Sequence, residues 1–304
     1  MPAMTQAERI IAYERVVQEL GVGRIGTTPD AKPLPPRGGR GEQRGSALPI
    51  ESEILGIQMF EYGEIWGRPG LDLRTRSYIT VAAHVALRVP DQLYRQINNA
   101  LNLGITPEEI HEVLLHGATY GGFAAWDLAY GVANEVFVAR GILEAGSGVE
   151  IMPVPAMDHA GREAARIRIC NTLGVSRLGT GTDAPSLTPL PGGPTFAGRA
   201  DELENEIAFI NADYGYGEVW GRPGLSLRMR SFVTMSLLQT LRKNSQLHIH
   251  ICNALNIGIT RDEVNEALAQ AGIYIGGSGW HNGVTVARHV FAQHPAAGGT
   301  PGSG

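Results

Sequence analysis

Gly67-Arg68-Pro69-Gly70-Leu71-Asp72-Leu73-Arg74-Thr75-Arg76-Ser77 returns later in the chain as Gly221-Arg222-Pro223-Gly224-Leu225-Ser226-Leu227-Arg228-Met229-Arg230-Ser231. The offset of 154 positions (221 minus 67) then holds without a gap to Trp126 and Trp280. The chain is an internal duplication of a unit of roughly 150 residues, expected as two domains over residues 1–150 and 151–304. Positions kept in both copies mark scaffold or shared chemistry. Positions that differ mark where the copies have divided their roles.

Working upstream, Leu20-Gly21-Val22-Gly23-Arg24-Ile25-Gly26 reappears as Leu173-Gly174-Val175-Ser176-Arg177-Leu178-Gly179, so the duplication includes an N-terminal helix. In the first copy Thr5-Gln6-Ala7-Glu8 forms a capping-box signature, followed by the apolar residues Ile10, Ile11, Val16, Val17 and Leu20 and a stop at Gly21. Residues 31–48 and 184–198 are rich in Pro and Gly, carry no period and read as loops. Downstream the pattern is helical. Leu73–Leu87 places Tyr78, Val81, Ala82 and Val85 on one stripe, and Asp91–Leu103 is a second helix. Thr106-Pro107-Glu108-Glu109 starts a third, with Thr as N-cap, Pro in the first turn and Glu three residues on, and Thr260 and Glu263 repeat the cap. After a break at Gly121-Gly122 and Gly276-Gly277, last helices run from Trp126 to Val138 and from Trp280 to Phe291. No alternating strand pattern of useful length appears, so the class is all-α. The small-residue tail 296–304 is expected to be disordered.

Composition narrows the function. Hydrophobic content of 43% supports a core in each half, and a net charge of −5 with no long basic stripe argues against a nucleic-acid partner. The local basic cluster Arg37, Arg40 and Arg44 is too small to change that. No apolar run reaches the ~18 residues of a membrane span, and the N-terminus lacks an apolar signal core, so a cytoplasmic protein is expected. Cys170 and Cys252 occupy non-equivalent positions without a CxxC, which fits a reducing compartment.

Three groups of residues could carry chemistry. Glu112, His116 and Tyr120 share one helical face at i, i+4, i+8, and the second copy has Glu266, Gln270 and Tyr274 there. A carboxylate beside an imidazole is expected to orient it and raise its pKa; the same residues also read as a structural tie between helices. His250 stands where the first copy has Gln96. His248 and His250 are i, i+2 and point to different faces, so no metal is expected. Arg74, Arg76, Arg228 and Arg230 lie in the first helical turn, at the positive end of the helix dipole, which calls for an anionic partner. That partner is either a substrate carboxylate or the duplicated Glu64 and Glu218. The aromatic pairs Trp66/Trp220, Trp126/Trp280 and Tyr120/Tyr274 read as core or as pocket wall.

Several strings resemble the carboxymuconolactone decarboxylase family: Tyr62-Gly63-Glu64-Ile65-Trp66-Gly67-Arg68-Pro69-Gly70-Leu71 through Arg74-Thr75-Arg76-Ser77, Glu112-Val113-Leu114-Leu115-His116 with Tyr120-Gly121-Gly122, and His250 with Ala254-Leu255. The resemblance implies the all-α alkylhydroperoxidase D-like fold, assembled as trimers or hexamers, so that three tandem chains would form a pseudo-hexamer. The peroxidase branch of that superfamily uses a CxxC pair, but its places here hold Lys243 and Gln246, or Val89 and Gln92, so thiol chemistry is excluded. The resemblance further implies a decarboxylase that needs neither cofactor nor metal and acts on a small anionic organic substrate. His250 would be the general acid, His116 a second acid or orienting group, and Glu112 and Glu266 would position them. Arg76 and Arg230, with Arg74 and Arg228 beside them, would bind carboxylates. Tyr120, Tyr274, Trp220 and His281 would line the pocket, His281 replacing Asp127 of the first copy. The family keeps both histidines in one unit; this chain splits them, with Gln96 and Gln270 in the other places. Either the copies build one composite site or a single copy is active. A lactone hydrolase or isomerase, or a non-catalytic binding protein, would use the same residues differently.

Overall fold

A computed structural model describes residues 4–37, 51–146, 156–191 and 209–294. The first copy contains α1 (Gln6–Leu20), α2 (Glu51–Gln58) running into a π-helical turn Met59–Trp66, α3 (Leu73–Leu87), α4 (Pro90–Asn102), α5 (Pro107–Gly121) and α6 (Phe123–Ala139). The second contains α7 (His159–Leu173), a π-helical turn Asp213–Val219, α8 (Leu227–Thr240), α9 (Asn244–Asn256) and α10 (Arg261–Gln293). The fold is all-α and duplicated. Among the described residues the strand structure is a two-residue pair, Arg24–Ile25 against Lys32–Pro33, with a single bridge at Arg177 and Ser186 in the second copy. The expected loops are thus pinned at their starts. Their remainders (38–48 and 192–198), the tail 296–304 and the junction at 150/151 lie outside the described residues.

Local chemistry accounts for the helix ends. Capping boxes close the starts of α1, α5 and α10 at Thr5, Thr106 and Thr260. Asp72 and Ser226 accept the backbone N–H three residues on and start α3 and α8. Gly122 (φ 85°) breaks α5 from α6, and Gly276 (φ 77°) kinks α10 at the equivalent place; these are conformations that glycine adopts without penalty.

Burial departs from the apolar pattern in two helices. In α1 the inward stripe is Ala12, Val16 and Leu20, while Ile10 and Ile11 remain exposed. The stripe packs on Tyr62 and Trp66 of the π-helical turn. Contact there is close: a Cβ on Gly63 would come within 2.7 Å of the Arg9 carbonyl oxygen, and one on Gly217 within 2.5 Å of that of Arg162. In α3 the whole run Thr75–Ala86 is buried, not one stripe. The reason is that α3 lies against α8 of the other copy as well as against its own neighbours, and a helix covered on every side has no solvent face. Val233 and Leu237 of the second copy belong to the core that holds Tyr78, Val81 and Val85. Leu71 and Ile79 of the first copy belong to the core that holds Phe232 and Met235. The Ser236 hydroxyl donates to the Ile79 carbonyl at 2.7 Å across the same seam. The two copies therefore share their cores. Cys170 and Cys252 are free thiols.

Candidate active site

Because α3 and α8 cross at the centre, α5 of the first copy faces the start of α8, the second π-helical turn and α9. The stripe Glu112, His116, Tyr120 meets residues of the second copy along its full length. Glu112 Oε1 accepts from Arg222 Nε at 2.7 Å and Oε2 accepts from Arg230 Nη2 at 2.9 Å. Arg230 also donates to the carbonyls of Leu225 and Arg222, at 3.2 and 2.8 Å. A Cβ on Gly224 would reach Glu112 Cγ at 2.6 Å, which explains the second glycine of the Gly-Arg-Pro-Gly motif.

One turn on, His116 Nδ1 lies 3.4 Å from Arg230 Nη1 and 3.2 Å from the Glu112 carbonyl oxygen. The next turn brings the Tyr120 hydroxyl, which accepts from Trp220 Nε1 at 2.8 Å and sits 3.4 Å from His250 Nε2. The His250 ring stacks with Trp220 and Tyr216, at 5.8 and 6.3 Å between centroids, and His116 packs on the same Trp220 at 5.5 Å. The two histidines, one from each copy, thus meet around one tyrosine and one tryptophan. Both are buried, at 0% and 3% exposure. His116 Nε2 and His250 Nδ1 have no hydrogen-bond partner. Buried ring nitrogens are normally paired, so each of these two retains capacity for a further hydrogen-bond partner.

The electrostatics reverse one expectation. His116 is pushed well below the ordinary histidine range by burial and then by the Arg230 cation, and burial brings His250 down to about 3. The carboxylate of Glu112 does not raise the imidazole, because both its oxygens face Arg222 and Arg230. Burial likewise pushes the Tyr120 hydroxyl up. Both imidazoles are neutral at rest.

The pseudo-equivalent cluster uses Glu266, Gln270 and Tyr274 of α10 against the first copy. Glu266 accepts from Arg68 Nη2 at 2.6 Å and from Arg76 Nη2 at 2.7 Å. Gln270 accepts from Arg76 at 3.1 Å and donates to the Thr80 hydroxyl at 3.0 Å. The Tyr274 hydroxyl accepts from Trp66 Nε1 and donates to Glu61 Oε1, both at 2.9 Å. Gln96 is buried in the place of His250. Burial raises the Glu61 carboxyl, with the Tyr274 hydrogen bond opposing it. His84 packs edge-on against Tyr274 at 4.6 Å and is brought down to about 4 by burial. Glu61, His84, Arg68 and Arg222 were not singled out by motif reasoning. Their signal was present as differences or identities between copies: Glu61 stands opposite Gly215, His84 opposite Leu238, and Arg68 opposite Arg222.

Other candidates lie elsewhere. Arg76 and Arg230 hold Glu266 and Glu112, not Glu64 and Glu218. Glu64 pairs with Arg9 at 2.8 Å, and Glu218 lies 3.9 Å from Arg222. Arg74 and Arg228 pair with the capping glutamates Glu109 and Glu263 and are part-exposed. His281 is exposed, and its carbonyl accepts from the Thr285 hydroxyl. Trp280, with Phe60, Arg68, Glu266 and Phe291, lines a cavity of about 730 Å3 that Gln96, Gln270 and Tyr274 do not reach. His248 packs on His289 at 5.1 Å, apart from His250. Among the described residues no group of three or more His, Cys, Asp or Glu side chains could hold a metal ion, and no helix is long and apolar enough to cross a membrane.

Over 86 residues the chain is 41% identical to 4-carboxymuconolactone decarboxylase of Acinetobacter baylyi, covering 28% of this chain and 64% of that one. Over 64 residues it is 36% identical to a nitrosuccinic acid decarboxylase of Metarhizium robertsii, covering 21% and 45%. Over 79 residues it is 34% identical to an uncharacterized 15.0 kDa protein of Paracoccus denitrificans, covering 25% and 58%. Each alignment spans less than two thirds of the relative's own length. The sequence pattern of the carboxymuconolactone decarboxylase family matches residues 56–135 and again 207–289, once on each copy of the duplicated unit and together over more than half of the chain, so the chain belongs to that family.

Proposed function

We propose that the protein is a cofactor-free carboxy-lyase that decarboxylates a small carboxylated lactone or a related vinylogous keto acid, at one composite site per chain. The observation that carries this reading is the meeting of His116 and His250 at Tyr120 and Trp220, each with a buried ring nitrogen left unpaired. The names of two relatives, both decarboxylases, support the reaction class.

The chemistry follows from what this reaction needs. Breaking the bond to the carboxylate releases CO2 and leaves an electron pair on carbon. A conjugated carbonyl in the substrate accepts that pair as an enolate, and a proton then returns to carbon. Arg222 and Arg230 both hold Glu112, Glu218 lies 3.9 Å from Arg222, and Arg230 reaches to 3.4 Å from His116, so a buried guanidinium stands beside the histidines to stabilise the enolate in a dry interior. The Tyr120 hydroxyl is a further donor at the site. His250 and His116 rest neutral, and the charge of a bound anion raises their proton affinity. A histidine therefore gains its proton with the substrate and delivers it to carbon, with His250 as the general acid and His116 orienting or assisting.

The test is CO2 release and loss of ultraviolet absorbance with γ-carboxymuconolactone, comparing the wild type with His250→Gln. Turnover in the wild type and its loss in the variant are expected. Absorbance loss without CO2 would point to lactone hydrolysis or isomerisation. Undiminished CO2 release by the variant would remove the composite site from the mechanism.

A further inference from the structure

The two clusters are copies of one arrangement and differ at one place that has nothing to do with histidine. In the cluster around Glu266, the Tyr274 hydroxyl receives the Trp66 indole N–H and passes its own hydrogen to the carboxylate of Glu61. In the composite cluster, Trp220 donates to Tyr120 in the same way, but the residue equivalent to Glu61 is Gly215.

Neither backbone nor packing requires that glycine. Gly215 is not among the residues with positive φ. A Cβ built on it would meet only the Thr119 methyl, at 3.4 Å. Glycine there removes a side chain without relieving a clash, at the position from which Glu61 reaches the tyrosine of the other cluster. The unsatisfied groups fall on the same side of the comparison. In the composite cluster His116 Nε2 and His250 Nδ1 are buried without partners. In the other, Gln270 is bonded at both ends of its amide, and Tyr274 both accepts and donates. One cluster holds its own carboxylate at its tyrosine, whereas the other has none there and its Tyr120 hydroxyl faces His250 Nε2 at 3.4 Å.

We propose that a carboxylate of the substrate occupies the space left by Gly215, accepting from the Tyr120 hydroxyl as the Glu61 carboxylate accepts from Tyr274, and that Glu61 closes the sister cluster by acting as a built-in carboxylate. This deepens the composite-site reading and rests on it. Tyr120 is then a carboxylate-binding residue, Gly215 determines which copy of the site is open, and each chain binds one substrate molecule.

Succinate, an unreactive dicarboxylate, tests this by calorimetry on the full chain, with no turnover required. The wild type is expected to bind one equivalent per chain. Gly215→Glu is expected to weaken binding at least 100-fold, with far-UV circular dichroism unchanged. Gly215→Ala, whose Cβ is tolerated, is expected to stay within about threefold. A folded Gly215→Glu protein that binds succinate like the wild type overturns the proposal. So does a wild type that binds no succinate, or two equivalents. Should Gly215→Glu not fold, Tyr120→Phe provides the same decision: affinity is expected to fall at least tenfold, as for a lost hydrogen bond to a charged group, and unchanged affinity overturns the assignment. Because binding is read without chemistry, these results stand apart from CO2 release, which tests the reaction itself.

Discussion

Glu112 of the first copy and Arg230 of the second, 118 residues apart, form a 2.9 Å ion pair in which neither side chain has any solvent exposure. Its pseudo-equivalent, Glu266 with Arg76, is as short but shares its carboxylate with an arginine that reaches water: Arg68 is 33% exposed, against 7% for Arg222.

That asymmetry sets the first prediction. Removing one partner of a buried pair leaves an uncompensated charge and costs about 3–5 kcal/mol. Glu112→Ala takes the carboxylate from the fully buried Arg230, while Arg222 keeps Glu218 at 3.9 Å, and should show the full loss in urea unfolding. Glu266→Ala should lose less, because Arg68 can turn to solvent. Equal losses would contradict the difference in burial.

The Gly-Arg-Pro-Gly turn makes a second prediction. Gly224→Ala drives a Cβ to 2.6 Å from Glu112 Cγ, whereas a Cβ at Gly277 meets nothing within 4 Å. Overpacking at Gly224 should cost about 1–3 kcal/mol and displace the carboxylate that orders the site. Gly277→Ala should stay within about 0.5 kcal/mol, as for substitutions away from special features. Unfolding midpoints of the two variants decide it.

His116→Gln and His250→Gln should each lower kcat by about 10^2–10^4, the usual contribution of a positioned acid or base. Groups that act as one unit are not additive, so the double variant should be little slower than the worse single one. Losses that multiply in single-turnover assays would show that the two histidines contribute independently and not as one unit.

Acid should destabilise the fold through its buried histidines. In the unfolded chain a histidine takes its proton near pH 6.5, while His250 and His84 in the folded chain resist until about pH 3 and 4. Between those values the unfolded state holds more protons, so stability falls as pH drops below about 6.5, by up to about 1.4 kcal/mol per unit for each such histidine. Above pH 7 these groups contribute no slope. Unfolding midpoints between pH 8 and 5 should therefore decline on the acid side, and His250→Gln should flatten the decline. An unchanged slope would show that His250 can be protonated in the folded chain.

Much of this protein was decided within short stretches of sequence. Thr106 with Glu109 and Thr260 with Glu263 start helices through bonds three residues long, and Gly122 and Gly276 stop them through their own φ. Such features need no knowledge of the rest of the chain, so the helical class and the duplication were legible. The stripe Glu112, His116, Tyr120 was legible for the same reason, since periodicity alone places it on one face. What covers that face was not. A period shows which side of a helix is to be buried, not which of several similar surfaces buries it. Here α3 packs on α8, and that contact between the copies brings His116 and His250 together at Trp220 and Tyr120. The direction of the histidine shifts also depended on tertiary structure. Adjacency to Glu112 predicts a raised pKa, but burial and the claim of Arg222 and Arg230 on both carboxylate oxygens reverse it. Ile10 and Ile11 stay exposed because only the Ala12, Val16, Leu20 edge of α1 meets the π-helical turn. Local bonds are written in neighbouring residues; desolvation and the choice of partner exist only once distant segments have met.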